Sequence, residues 1–174
     1  MNIPNILTLI RIALIPVTAY MFYLHNITAA VIVFMVACVT DILDGFIARR
    51  FNMVTDLGKV LDPLADKGMQ MTVLFSMAAL SYIPWAVVIV IICKELLQFA
   101  GGAQLYSSNV IISANWYGKV STVVTSVCVI VILLFHDFLS PVFLTILQWL
   151  PVLFAAISLC GYFKIFLSVE KDKN

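Results

Sequence analysis

Six apolar runs, at approximately 6–24, 28–49, 62–82, 84–106, 117–136 and 139–167, divide the chain. Each is close to the roughly 20 residues that a helix needs to cross a bilayer. The breaks between them are short. Pro84, after Ser81-Tyr82-Ile83, separates the third run from the fourth and suits the opening of a helix. His136-Asp137 and Ser140-Pro141 divide the fifth from the sixth. No period repeats, and no Gly/Ser linker or low-complexity tract marks a second domain. The pattern predicts an all-α, polytopic membrane protein with six transmembrane helices, residues 1–174 forming a single domain.

Composition strengthens this reading. The chain is 63% hydrophobic and 11% charged, where a soluble domain is roughly half apolar and a quarter charged. The formal net charge of +1 argues against nucleic acid as the main partner. Cys38, Cys93, Cys128 and Cys160 each lie inside an apolar run without CxxC spacing. They read as small buried hydrophobes, not a disulfide set or a zinc site. The first run has no A-x-A-like cleavage site and is expected to be retained. Asn26-Ile27-Thr28 fits a glycosylation pattern by chance, inside a short turn.

Charge placement gives the topology. The connections near 25–27, 82–84 and 136–141 contain no Lys or Arg, whereas Arg11, Arg49, Arg50, Lys59, Lys67, Lys119, Lys164, Lys171 and Lys173 fall on the other side. The positive-inside rule therefore puts both termini and the 50–61 and 107–116 loops in the cytoplasm. With no targeting sequence and a compact length, the expected location is a bacterial plasma (inner) membrane. Lys94 lies about ten residues into the fourth run, or roughly 15 Å at 1.5 Å per residue. An ammonium at that depth is costly unless paired, and is commonly functional. A buried ion pair with Glu95 or a motif aspartate is the alternative.

Five of the nine acidic residues, Asp41, Asp44, Asp56, Asp62 and Asp66, fall within 26 positions. Asp41, Asp44, Gly45 and Ala48 are spaced i, i+3, i+4, i+7 and share one face of the second helix; Asp62 and Asp66, at i and i+4, share a face of the third. Four carboxylates this close do not all stay ionised beside lipid without compensation, because like charges disfavour the charged form. A pair of divalent cations supplies it, and all-oxygen ligands select Mg²⁺ or Mn²⁺. Gly45 and Ala48 leave room on the same face for something bulky, and Arg49, one step off it, can pair with phosphate. A single Asp near a helix end often acts as a cap, and that reading fits Asp56 in its loop.

The stretch Asp41-Ile-Leu-Asp44-Gly45-Phe-Ile-Ala48-Arg49, then Gly58, Asp62 and Asp66, resembles the signature D-x2-D-G-x2-A-R-x8-G-x3-D-x3-D of the CDP-alcohol phosphotransferase family, also called CDP-alcohol phosphatidyltransferases. Every specified position matches without a change of spacing. The resemblance implies an enzyme that transfers the phosphatidyl group of CDP-diacylglycerol to an alcohol and releases CMP. It implies two metal ions held by Asp41, Asp44, Asp62 and Asp66, with Asp66 also the general base. Gly45, Ala48, Arg49 and Gly58 would line the cytidine diphosphate pocket. A homodimer in contact with membrane lipids is the expected assembly.

The opening Asn2-Ile-Pro4-Asn5-Ile-Leu-Thr8-Leu-Ile-Arg11 looks like that of bacterial phosphatidylglycerophosphate synthases, whose acceptor is glycerol 3-phosphate. CDP-lipid-type cardiolipin synthases, which use phosphatidylglycerol, share it. An acceptor phosphate needs cations, and Lys67, Lys94, Lys119 and Arg11 are the candidates. The synthases typically carry Arg-Glu where this chain has Lys94-Glu95, and a lysine gives up the arginine's bidentate grip. For Lys119 an interfacial anchor, and for Arg11 snorkelling to the headgroups, are the alternatives. Two other classes remain. An intramembrane prenyltransferase would account for Asp62-Pro-Leu-Ala-Asp66 but not for Gly45, Ala48, Arg49 and Gly58. A cation transporter with an acidic site would place its polar residues near mid-membrane, not at helix ends.

Overall fold

The computed structural model of the chain describes residues 3–51, 56–107 and 116–171, and among these every regular element is an α-helix. The six helices are α1 Ile3–Tyr23, α2 Ile27–Arg50, α3 Asp56–Ala79, α4 Trp85–Ser107, α5 Trp116–Phe135 and α6 Pro141–Lys171. They follow the six apolar runs closely, with one informative departure. The third apolar run opens near residue 62 and a loop is expected over 50–61, yet α3 begins at Asp56 and runs through Pro63. Leu57, Val60 and Leu61 keep an i, i+3, i+4 apolar spacing across the earlier turn, and this outweighs the backbone hydrogen bond that an interior proline removes. Asp56 is therefore the first residue of a helix and not a loop residue; its side chain lies outside the described part. Most of the expected 107–116 loop also lies outside the described residues.

The turn from α1 to α2 closes both helix ends in three residues. His25 takes a left-handed φ of 55°. Its N–H donates to the Phe22 carbonyl at 2.9 Å, and the Asn26 N–H donates to the Met21 carbonyl at 3.0 Å. These are the two bonds of a Schellman motif. The Asn26 side chain then accepts from the Ala29 N–H at 3.1 Å and caps α2. Asn26 thus has a structural use that the chance glycosylation match does not suggest. Ser140 caps α6 in the same way, accepting from the Phe143 N–H at 3.4 Å, with Pro141 as the first helical residue.

The chain gathers into two compact units, Met1–Leu80 and Ser81–Asn174. In the first, α1 packs along both α2 and α3. Phe22 of α1, Ala30, Val31, Phe34 and Ala37 of α2, and Ala65, Met69, Val73 and Met77 of α3 are buried. A Cβ on Gly68 of α3 would stand 2.9 Å from the Ile15 δ-methyl of α1, so glycine permits the closeness of these two helices. In the second unit α6 packs against α4 and α5. Gln98 of α4 donates to the Ser158 hydroxyl of α6 at 2.7 Å, and Gln148 donates to the Tyr82 carbonyl at 2.7 Å. The Tyr82 and His136 rings meet edge to face at 4.7 Å.

Four helices, α1, α2, α5 and α6, are long and apolar enough to cross a membrane over their described residues. In α3 the first twelve positions carry Asp56, Lys59, Asp62, Asp66 and Lys67, and α4 carries Lys94 and Glu95 near its middle. Exposure follows membrane logic. Ile42, Leu97, Phe99 and Phe138 face outward, while Thr8, Arg11, Asp44, Lys94, Ser121 and Ser158 are buried. The cysteines follow it too. Only Cys128 is buried; Cys38 is half-buried, and Cys93 and Cys160 are exposed, which corrects their reading as buried hydrophobes. An apolar exterior accepts a thiol as readily as a core does.

Gly68 gives a prediction. In the interior of a helix Gly→Ala is worth about 1 kcal/mol of stability, but here the new methyl meets Ile15. Gly68→Ala alone should bring little gain in thermal unfolding. In an Ile15→Val background, which removes the opposing δ-methyl, the same change should recover about 1 kcal/mol. Simple additivity of the two substitutions would rule out that contact as the limit.

Candidate active site

The polar positions of α1 decide the arrangement. Asn5, Thr8 and Arg11 recur every three residues in the first half of α1, among apolar neighbours, and all three are buried. Two of these, Thr8 and Arg11, face the carboxylates of α2 and α3. Arg11 Nη1 pairs with Asp41 Oδ1 at 2.6 Å, and Arg11 Nη2 donates to Asp44 Oδ2. Three residues earlier, the Thr8 hydroxyl donates to Asp62 Oδ1 at 2.5 Å. One face of α1 therefore holds three aspartates from two other helices.

The electrostatics place the remaining carboxylate. Asp44 lies within reach of the charges of Asp41 and Asp62, and Cys38, one turn before Asp41, within reach of Asp41 and Asp66. Asp66, one turn along α3 from Asp62, is half-buried and has interactions of its own. The four aspartates expected to converge thus belong to one neighbourhood of the first unit. Among the described residues no three carboxylate, histidine or cysteine groups stand in a ready ligand arrangement, and the guanidinium of Arg11 sits between Asp41 and Asp44. Every donor there is a hard carboxylate oxygen, which suits Mg²⁺ or Mn²⁺. Each of Asp41, Asp44 and Asp62 has one oxygen turned to α1, and a carboxylate has a second to offer. The residues present fit a divalent ion.

The other expected residues fall as follows. Gly45 is half-buried beside Asp44, and Gly58 is buried in the first turn of α3. Ala48 and Arg49 continue the helical backbone of α2; their side chains lie outside the described part. Lys67 is half-buried and engaged. Arg11, expected among the acceptor ligands, is 1% exposed and turned to the α2 aspartates, with no snorkelling outward. Lys94 and Lys119 belong to the second unit. Lys94 is 2% exposed and pairs with Glu95 Oε1 at 2.5 Å, the ion pair named as its alternative. Lys119 is exposed. Sequence reasoning gave Thr8 no role. The signal was its place between Asn5 and Arg11 on one face of an apolar helix.

The sequence profile of the CDP-alcohol phosphatidyltransferases matches residues 1–158, running through both units. The chain belongs to this family. It is 33% identical over 191 aligned positions to the CDP-diacylglycerol--glycerol-3-phosphate 3-phosphatidyltransferase of Bacillus subtilis, covering 99% of each chain. It is 38% identical over 130 positions to the Escherichia coli protein of the same name, covering 70% of each. A probable phosphatidylglycerophosphate synthase of Mycobacterium tuberculosis H37Rv is 35% identical over 138 positions, 74% of this chain and 64% of that protein. The chain thus spans just under two thirds of the mycobacterial relative's length. The family is generally dependent on a divalent metal. The resemblance drawn from Asp41 to Asp66 is met by membership.

Arg11 carries a stability prediction. Removing one partner of a buried pair leaves an uncompensated charge and destabilises by about 3–5 kcal/mol. Because the Asp41 side chain is 43% exposed, Arg11→Met should fall at the lower end of that range. Arg11→Lys, which keeps the charge but loses the fork across two carboxylates, should lie between. Thermal unfolding of metal-free protein in detergent measures both; a melting point unchanged in Arg11→Met would refute the pairing.

Proposed function

We propose that this protein transfers the phosphatidyl group of CDP-diacylglycerol to glycerol 3-phosphate, forming phosphatidylglycerophosphate and releasing CMP. One observation carries the reading: the family signature Asp41 to Asp66 folds so that α1 gathers Asp41, Asp44 and Asp62 into one neighbourhood. The printed names of the Bacillus subtilis and Escherichia coli relatives, with the former matched over 99% of its length, favour glycerol 3-phosphate over phosphatidylglycerol as acceptor.

In this reading Asp41, Asp44, Asp62 and Asp66 hold two Mg²⁺ or Mn²⁺ ions. When bound, the ions neutralise the pyrophosphate and stabilise the leaving group. Asp66 takes the proton of the acceptor hydroxyl. The acceptor oxygen forms its bond to the lipid-side phosphorus as the bond from that phosphorus to the bridging oxygen breaks. CMP leaves with the electron pair, and no covalent enzyme intermediate is required. Gly45 and Gly58, with Ala48 and Arg49, line the nucleotide pocket. Small residues there let a nucleotide approach the helix backbone. Lys67, in the same unit as the aspartates, is kept as an acceptor-phosphate cation on charge alone. A diacyl substrate with a nucleotide head suits six spans with the aspartates on the cytoplasmic side of a bacterial plasma membrane, both termini cytoplasmic and the chain a homodimer.

Purified protein with Mg²⁺ and CDP-diacylglycerol should release CMP when given glycerol 3-phosphate, and Asp66→Asn should reduce the rate by at least a hundredfold, the lower bound for loss of a general base. Release with phosphatidylglycerol alone would make the protein a cardiolipin synthase. No release with either acceptor would overturn the proposal.

A further inference from the structure

The signature accounts for the aspartates but not for what aims them. A carboxylate at the end of a short side chain rotates about two bonds. A ligand set taken from two helices needs each group fixed before the ion arrives, and partners behind the ligands supply that restraint. The fully buried polar side chains of α1 stand in that place. Thr8 is 0% exposed. Its β-branch restricts χ1, and its hydroxyl donates to Asp62 Oδ1 across a sequence separation of 54 residues. The bond commits one oxygen of Asp62 to α1 and leaves the group's second oxygen as the one to be offered.

Thr8 also differs from Arg11, which restrains Asp41 and Asp44 with a positive charge. Such a charge opposes the arrival of a cation even as it orders the ligands. A hydroxyl carries no net charge and orders without opposing. Asp62, the α3 ligand, is thus held by a neutral donor while the two α2 aspartates share the guanidinium.

We propose that Thr8 is a positioning residue: through its hydrogen bond to Asp62 it sets the orientation in which that carboxylate binds a divalent ion. The inference rests on the metal reading given above. It concerns affinity for the ion and predicts no loss of fold. Outer partners of metal ligands are worth on the order of 10–100-fold in metal affinity.

The test is direct Mn²⁺ binding, followed by the electron paramagnetic resonance signal of the free ion. Full-length protein in nanodiscs is used with no lipid substrate, so turnover is not the readout. Thr8→Val keeps the shape and removes the hydroxyl; it should weaken Mn²⁺ binding by on the order of tenfold. Thr8→Ser keeps the hydroxyl and should bind close to wild type. Metal-free melting of each variant, measured alongside, separates affinity from stability. Equal binding by Thr8→Val and wild type would overturn the inference, as would Thr8→Ser binding as weakly as Thr8→Val. Thr8→Ala replaces Thr8→Val if the latter does not fold. Failure of both to fold would show that Thr8 holds the helices together and does not aim the ligand, again overturning it. No Mn²⁺ binding by wild type would instead bring down the metal reading itself.

Discussion

A single guanidinium, buried between two carboxylates, sets the terms for the first half of this protein. Arg11 is 1% exposed and reaches both Asp41 and Asp44. In an apolar surrounding neither the cation nor the anions are stable alone, since the loss of hydration exceeds what ordinary packing returns. Together they can be buried, and only with α1 and α2 in one register. The apolar residues of the two helices can slide past one another in lipid; the ion pair does not. Helices in a bilayer gain little from the hydrophobic effect against one another, so a charged clasp gives specificity that apolar packing lacks.

Much of this was legible in the sequence. The six runs gave the helices because lipid demands length and apolarity, and both are visible residue by residue. The aspartates were legible because Asp41, Asp44, Gly45 and Ala48 recur at helical spacing, a pattern that needs no tertiary information. What could not be read was the identity of the partners. Arg11 stands 30 positions before Asp41, and Thr8 stands 54 before Asp62. Spacing arguments relate residues on one helix and say nothing of which face of another helix meets them. The start of α3 was not legible for a different reason: the apolar run opens only near residue 62, while the helix reaches back through the charged turn to Asp56.

The two units solve the problem of polar groups in different ways. The first uses charge, with Arg11 and Thr8 set against carboxylates. The second relies largely on neutral hydrogen bonds, from Gln98 to Ser158 and from Gln148 to the Tyr82 carbonyl. Among its described residues the buried pair, Lys94 with Glu95, is formed by neighbours on the same helix. Neutral bonds of this kind between membrane helices average about 0.6 kcal/mol, enough to choose a register without fixing it. Charge paired between helices, among the described residues, gathers at Arg11, Asp41 and Asp44.

The closed turn at His25 and Asn26 has a consequence for how the chain enters a membrane. With the Schellman bonds and the Asn26 cap in place, the end of α1 and the start of α2 present few bare backbone groups, which suits the proposed topology, in which this turn crosses the bilayer. The turn carries no Lys or Arg to hold it back. In that proposed topology the opposite end, where Arg11 meets Asp41 and Asp44, stays on the cytoplasmic side. Two helices joined in this way can insert as a hairpin, tip first, with the charges that would resist transfer already at the trailing end and matched to one another.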